Sequence, residues 1–197
     1  MAISLTKNNP ISLTKTDPLL KKLRIGLGWD ADLAGGGTID LDVTIFVTDE
    51  NKRALSDMHM IYFNPAHKKS PCGAIEYHGD NKTGAGETGA DKETADITLA
   101  GVEEKGKRIV VAASIHGWDV KNQNFGLVKN AYLRIVNTET NVEIGRAQLT
   151  TDHASDTALI MGEVYRTADG GWDFNILNQG FANGLGGIVL AMGLELE

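Results

Sequence analysis

A single cysteine, Cys72, stands in a chain of 197 residues. Its solitude excludes an intramolecular disulfide, and with it any chemistry that needs a dithiol to cycle against its disulfide. Basic residues are also in deficit: 19 Lys and Arg against 26 Asp and Glu leave a formal net charge of -7. That sign disfavours a nucleic-acid backbone as partner and favours cations. Long apolar runs are missing too. The opening stretch MAISLTKNNPISLTK has no apolar segment behind a basic start, so no secretory signal is expected and the expected location is cytoplasmic. The longest apolar stretch, GLGGIVLAMGLELE, is too short to span a bilayer and reads as a packed last strand or a short helix. No repeat of fixed period, low-complexity tract or linker divides the chain, so residues 1–197 are expected to form one domain.

The residues that are present speak for strands. Apolar residues make up 42% of the chain and charged ones 23%, a globular balance, and 23 glycines imply many turns. Alternation with period two recurs along the sequence, each instance predicting a strand with one buried face. Leu23, Ile25, Leu27 and Trp29 share a face; Leu41, Val43, Ile45 and Val47 share another, with Asp40, Asp42 and Thr44 opposite. The pattern continues through Ile61 with Phe63, Ile109 to Ile115, Ala131 to Ile135, Val142 with Ile144, Ala158 to Val164, and Trp172 to Ile176. Gly162 and its β-branched neighbours favour a strand over a helix from Ala158 to Arg166. No strongly periodic amphipathic helix competes. Many short strands separated by turn-rich segments predict an all-β fold, an antiparallel β-sandwich of two sheets.

One stretch has little to bury. HGDNKTGAGETGADKE, residues 78–93, carries Asp80, Glu87, Asp91 and Glu93 as carboxylates, Asn81 as an amide and Thr83 as a hydroxyl. Gly84, Gly86 and Gly89 let the backbone bend so that carbonyls face inward. A second acidic group lies upstream in WDADLAGGGTIDLD: Asp30 and Asp32 leave one predicted strand, and Asp40 and Asp42 lie on one face of the next. A hairpin would bring them to one end of the sandwich. Calcium takes about six to eight oxygens of these kinds, and a divalent ion would relieve the crowding of like charge. The competing reading is a solvated acidic loop whose Asp and Asn side chains bond their own backbone.

Named motifs do not decide between them. An EF-hand starting at Asp80 fails because Lys82 and Ala85 occupy its third and sixth positions. A P-loop fails because Ala85 stands where the phosphate-binding lysine belongs. His67, Cys72 and His78 match no common zinc spacing.

Several segments together resemble the TerD family of tellurium-resistance proteins: LGWD at 27–30, IDLDVTIFV at 39–47, HGDNKTGAG at 78–86, NFGLVKNAYLRIVN at 124–137, GEVYR at 162–166, GGWDF at 170–174 and NQGF at 178–181. The resemblance implies a two-sheet β-sandwich that binds Ca²⁺ through loops at one end. It also implies a bacterial stress-response role associated with tellurite resistance, with no catalytic activity established. Matched positions carry the implied ligand set: Asp30, Asp40, Asp42, Asp80, Asn81, Thr83, Gly84 and Gly86. After the loop the family pattern gives way to ETGADKE, with Lys92 where an acid is usual, so Glu87, Asp91 and Glu93 are candidate ligands that lie outside the matched positions.

Three functions follow as expectations. The first is a non-enzymatic calcium-binding protein acting through assembly with other stress-response proteins. The second is a calcium-dependent recognition module that bridges to a phospholipid or carbohydrate, which would allow peripheral association with a membrane; Trp29, Trp118 and Lys82 are its candidate contacts. The third, a hydrolase with paired carboxylates, is disfavoured because a glycine-rich loop crowded with anions offers no apolar pocket to separate two pKa values.

Overall fold

The computed structural model describes residues 2–30, 38–79, 81–83, 85, 90–149 and 153–196. Two six-stranded sheets face each other. The first runs, in spatial order, β1 (Ile3–Ser4), β10 (Val142–Gln148), β9 (Lys129–Asn137), β3 (Lys22–Asp30), β7 (Glu93–Thr98) and β6 (Ile75–His78). The second runs β2 (Ile11–Ser12), β12 (Trp172–Phe181), β11 (Ala158–Arg166), β8 (Arg108–Ile115), β4 (Leu41–Thr48) and β5 (Met60–Ile61). All pairings within the sheets are antiparallel except β1 on β10, which is parallel. The strand expected from Ala158 to Arg166 has those bounds.

Alternation fills the space between the sheets. Leu23, Ile25, Leu27 and Trp29 of β3 meet Leu41, Val43, Ile45 and Val47 of β4 in one apolar cluster, with Ile97, Ile109, Val111, Leu133 and Ile135 around them. The Trp29 indole N–H, which would be costly to bury unbonded, donates to the Ile39 carbonyl at 3.1 Å.

The other face of the second sheet departs from the expectation of one buried face per strand. Every residue of β4 is buried. Phe46, Val110, Ala112, Ala158 and Ile160 form a second cluster with Ile188, Val189 and Met192 at the carboxy-terminal end of the chain. Beside two single-turn helices, α1 (Leu13–Thr16) and α2 (Trp118–Lys121), the stretch expected as a last strand or short helix is the helix α3 (Gly184–Ala191), which lies against β8, β11 and β12. Gly184, at φ 60, turns the chain out of β12. Its N–H donates to Thr157 Oγ1 at 2.8 Å, and a Cβ there would run into the Trp118 indole.

The outer face of the first sheet is ionic. Asp96 receives Arg24 through two hydrogen bonds, at 2.7 and 3.1 Å, and Lys22 at 3.2 Å. Glu143 receives Arg146 at 2.8 Å and Arg134 at 3.3 Å. Burial works against ionising Asp96, but the bonds from Arg24 and Lys22 outweigh it and hold the carboxyl below its ordinary 3.8. The Arg146 hydrogen bond, against burial and helped by Arg134, likewise holds Glu143 below 4.5.

Truncation of Phe46 to alanine empties the seam between α3 and the sheet and is expected to cost about 3–5 kcal/mol in urea unfolding. A lowered carboxyl pKa contributes stability that is present above the ordinary value and lost as pH falls through the folded one. Stability is therefore expected to decline below about pH 4, and a combined Asp96→Asn, Glu143→Gln variant to show a flatter decline over that window in urea titrations at stepped pH.

Candidate functional site

The register of the first sheet brings the ends of several elements together. Leu27 of β3 pairs with Glu93 of β7, and His78 of β6 pairs with Thr94. Hence β3 ends, β6 ends and β7 begins at the same end of the sandwich. The start of β4 lies there as well, since the Val43 N–H donates to Glu93 Oε2 at 2.6 Å. The two acidic stretches accordingly converge on one end through residues that flank them. Asp32, Asp80, Gly84, Gly86, Glu87 and Gly89 lie outside the described residues.

Asp40 and Asp42 are buried, at 6% and 4% exposure. Asp42 leaves the inter-sheet core and faces outward opposite Ser114 of β8, with Oδ2 3.5 Å from His116 Nδ1. The Asp40 carbonyl accepts the His116 N–H at 2.8 Å. His116, directly after β8, has its ring edge-on to Phe63 at 5.7 Å. Beside it opens a cleft of about 280 Å³ lined by Asp42, Tyr62, Phe63, Ser114, Trp118 and Asn183, among others. Asp30, half-buried at the end of β3, accepts from Asn130 Nδ2 at 2.6 Å.

Asn81 and Thr83 close their own loop. Asn81 Oδ1 accepts the Thr83 N–H at 3.2 Å, Asn81 Nδ2 donates to the Ala85 carbonyl at 2.9 Å, and Thr83 Oγ1 accepts the Ala85 N–H at 3.2 Å. These are the local bonds expected of a self-satisfied turn, although each accepting oxygen keeps a second lone pair.

Asp91 and Glu93, which the sequence also offers as ligands, are engaged inside the protein. Asp91 lies over Gly26, in space a Cβ would fill, and takes both arms of the Arg134 guanidinium, at 2.7 and 2.9 Å. The Tyr132 hydroxyl donates to it at 3.1 Å, and burial together with this carboxylate pushes the phenol up to about 12. A carboxylate gripped this way is a poor calcium ligand, because a cation would have to displace the guanidinium. Glu93 is fully buried, bonded to Val43 N–H and, through Oε1, to the Tyr77 hydroxyl at 2.7 Å.

Among the described residues, no group of three or more His, Cys, Asp and Glu side chains is gathered that could hold a metal ion. The donor types at this end nevertheless suit a hard cation: carboxylates at Asp30, Asp40 and Asp42, and amide and hydroxyl oxygens in the loop. Sequence reasoning had not singled out Arg134 or the cleft beside Asp42. Arg134 alternates with the buried Leu133 and Ile135, which marks it as outward-facing, but its partner depends on strand register.

Comparisons with known proteins agree with this architecture. The TerD domain model matches residues 1–191. General stress protein 16U of Bacillus subtilis (strain 168) is 39% identical over 197 residues, covering 100% of both chains. Tellurium resistance protein TerD of Alcaligenes sp is 36% identical over 195 residues, covering 99% of each. A crystal structure of a homologue of telluride resistance protein (TerD) from Streptomyces coelicolor A3(2) shares the fold with a TM-score of 0.69 at 23% identity, covering 84% of this chain and 92% of its own. The family model and these relatives, matched along almost the entire length, place the chain in the TerD family of tellurium-resistance and stress-response proteins.

Proposed function

We propose that this chain is a non-enzymatic, cytoplasmic calcium-binding protein of the stress response, associated with tellurite resistance and acting through assembly with other proteins, members of its own family foremost. The observation that carries the calcium reading is the burial of Asp40 and Asp42, two residues apart, at the end where the acidic loop between β6 and β7 returns. Buried anions close together raise the cost of ionising one another, and a divalent cation removes that cost. Asp40 and Asp42, with Asp30, Asp80 and oxygens of residues 81–87, would hold the ion. When bound, it would supply positive charge that offsets these carboxylates. The similarity to a general stress protein and to a tellurium resistance protein supports the stress-response role.

A second reading, calcium-dependent recognition of a phospholipid or carbohydrate, is favoured by the cleft beside Asp42, where Tyr62, Phe63 and Trp118 stand next to polar groups. Among the described residues no helix is long and apolar enough to cross a membrane, so such contact would be peripheral. Co-sedimentation with liposomes in calcium but not in chelator would favour this reading over the first.

Calorimetric titration of chelator-treated protein with calcium is the direct test. Asp42→Asn and Asp80→Asn are each expected to weaken binding about tenfold or more. Calcium at a hundred times its dissociation constant is expected to add about 2.7 kcal/mol to the folded state, read as a rise in Tm. Identical melting in calcium and in chelator would overturn the calcium reading. Acidification through the carboxylate range is expected to release the ion, because protonated carboxylates do not ligate.

A further inference from the structure

Glu93 has a place that a ligand would not need. Its neighbours on the inward face of β7, Ala95 and Ile97, are apolar and fully buried, and it pairs with Leu27, also fully buried. An apolar side chain would fit that face. The carboxylate instead answers a specific want. Strand β5 pairs β4 only at Ile45 and Phe46, which leaves the edge N–H of Val43 beyond the reach of any strand. Glu93 crosses from the opposite sheet to accept it at 2.6 Å, while the Tyr77 hydroxyl of β6 donates to its other oxygen at 2.7 Å. An unsatisfied buried N–H is costly, so the bond has a strong reason to persist.

Three consecutive residues, Asp91 to Glu93, also fix the exit of the loop. Asp91 is held on the outer face of the first sheet by Arg134, the Lys92 N–H donates to the Leu27 carbonyl at 2.8 Å, and Glu93 is held on the inner face. Val43 directly follows Asp42. One side chain therefore joins the foot of the acidic loop to the strand that carries Asp42 and follows Asp40.

We propose that Glu93 is a positioning residue rather than a calcium ligand: its buried carboxylate fastens the start of β4 to the exit of the acidic loop and so sets the spacing between the two halves of the metal site. The metal half of this statement rests on the calcium reading above. The mechanical half stands on the hydrogen bonds alone.

Two measurements separate the halves. In calcium-free protein, amide hydrogen exchange at Val43 reports the fastening; in calorimetry, calcium affinity reports its consequence. Glu93→Gln keeps an acceptor for Val43, and the Tyr77 hydroxyl can turn to accept from the new amide. It is expected to retain slow exchange at Val43 and an affinity within about threefold of the parent. Glu93→Asp is one methylene too short to reach. It is expected to melt cooperatively, exchange Val43 about tenfold faster or more, and lose calcium affinity by about tenfold. Tyr77→Phe, which removes a donor to the same carboxylate without touching β4, should move both readouts in the same direction by a few-fold and serves if Glu93→Asp does not fold.

The proposal is overturned if Glu93→Gln loses as much affinity as Asp42→Asn, which would make Glu93 a ligand. It is equally overturned if Glu93→Asp, or Tyr77→Phe in its place, leaves Val43 exchange unchanged, or lowers Tm alone while affinity holds. If the parent protein binds no calcium, the calcium reading and the metal half fall together, and Val43 exchange in the variants still decides whether Glu93 does the fastening.

Discussion

Strand β4 is buried on both faces. Its inward side chains fill the gap between the sheets, and on its outward side Phe46 packs in the cluster with α3, so a charged group on it has little access to bulk water. The presence of Asp42 there, beside His116 and at the mouth of a polar cleft, is the exception that gives this end of the molecule its chemistry. The neighbouring elements follow from that constraint. The helix must be apolar enough to seal the far half of the strand, and the edge beyond the short β5 must find an acceptor from the other sheet.

The two outer faces solve the problem of covering a sheet differently. On the second sheet an apolar helix does it, with Ile188, Val189 and Met192 against Phe46 and Val110. On the first, arginines and carboxylates cover one another, and Arg146 lies over the Tyr132 ring at 4.1 Å. Asp91 and Asp96 are largely buried in these pairs, at 9% and 7% side-chain exposure, and Arg134 within the network keeps Asp91, and thereby the loop exit, in place.

Much of this was legible in the residues, and the failures have physical causes. Strands β3 and β4 announced themselves by period-two alternation, because one face of each lines the inter-sheet core; in β11 the same spacing crosses a register shift, so Ala158 and Ile160 lie in the cluster with α3 and Val164 in the core. The helix α3 did not: it is apolar nearly all round and opens on three glycines in four residues, so it shows neither a stripe nor a strong helical propensity. The double burial of β4 was hidden for the same reason. The acidic stretches were read as one set of oxygens, whereas Asp91 and Glu93 point to opposite faces of their sheet and meet an arginine and a backbone amide. Those meetings depend on register and on which sheet lies opposite, and neither is written in local spacing.

The first dozen residues tie the fold in an unexpected way. Strand β1 pairs with Gly145 and Arg146 in one sheet, and β2 pairs with Asp173 and Phe174 in the other. Both partners lie far downstream, so these are the pairings of greatest sequence separation in either sheet, and closing them carries the largest loop entropy the fold has to offset. Two very short strands thus act as a clasp across both sheets.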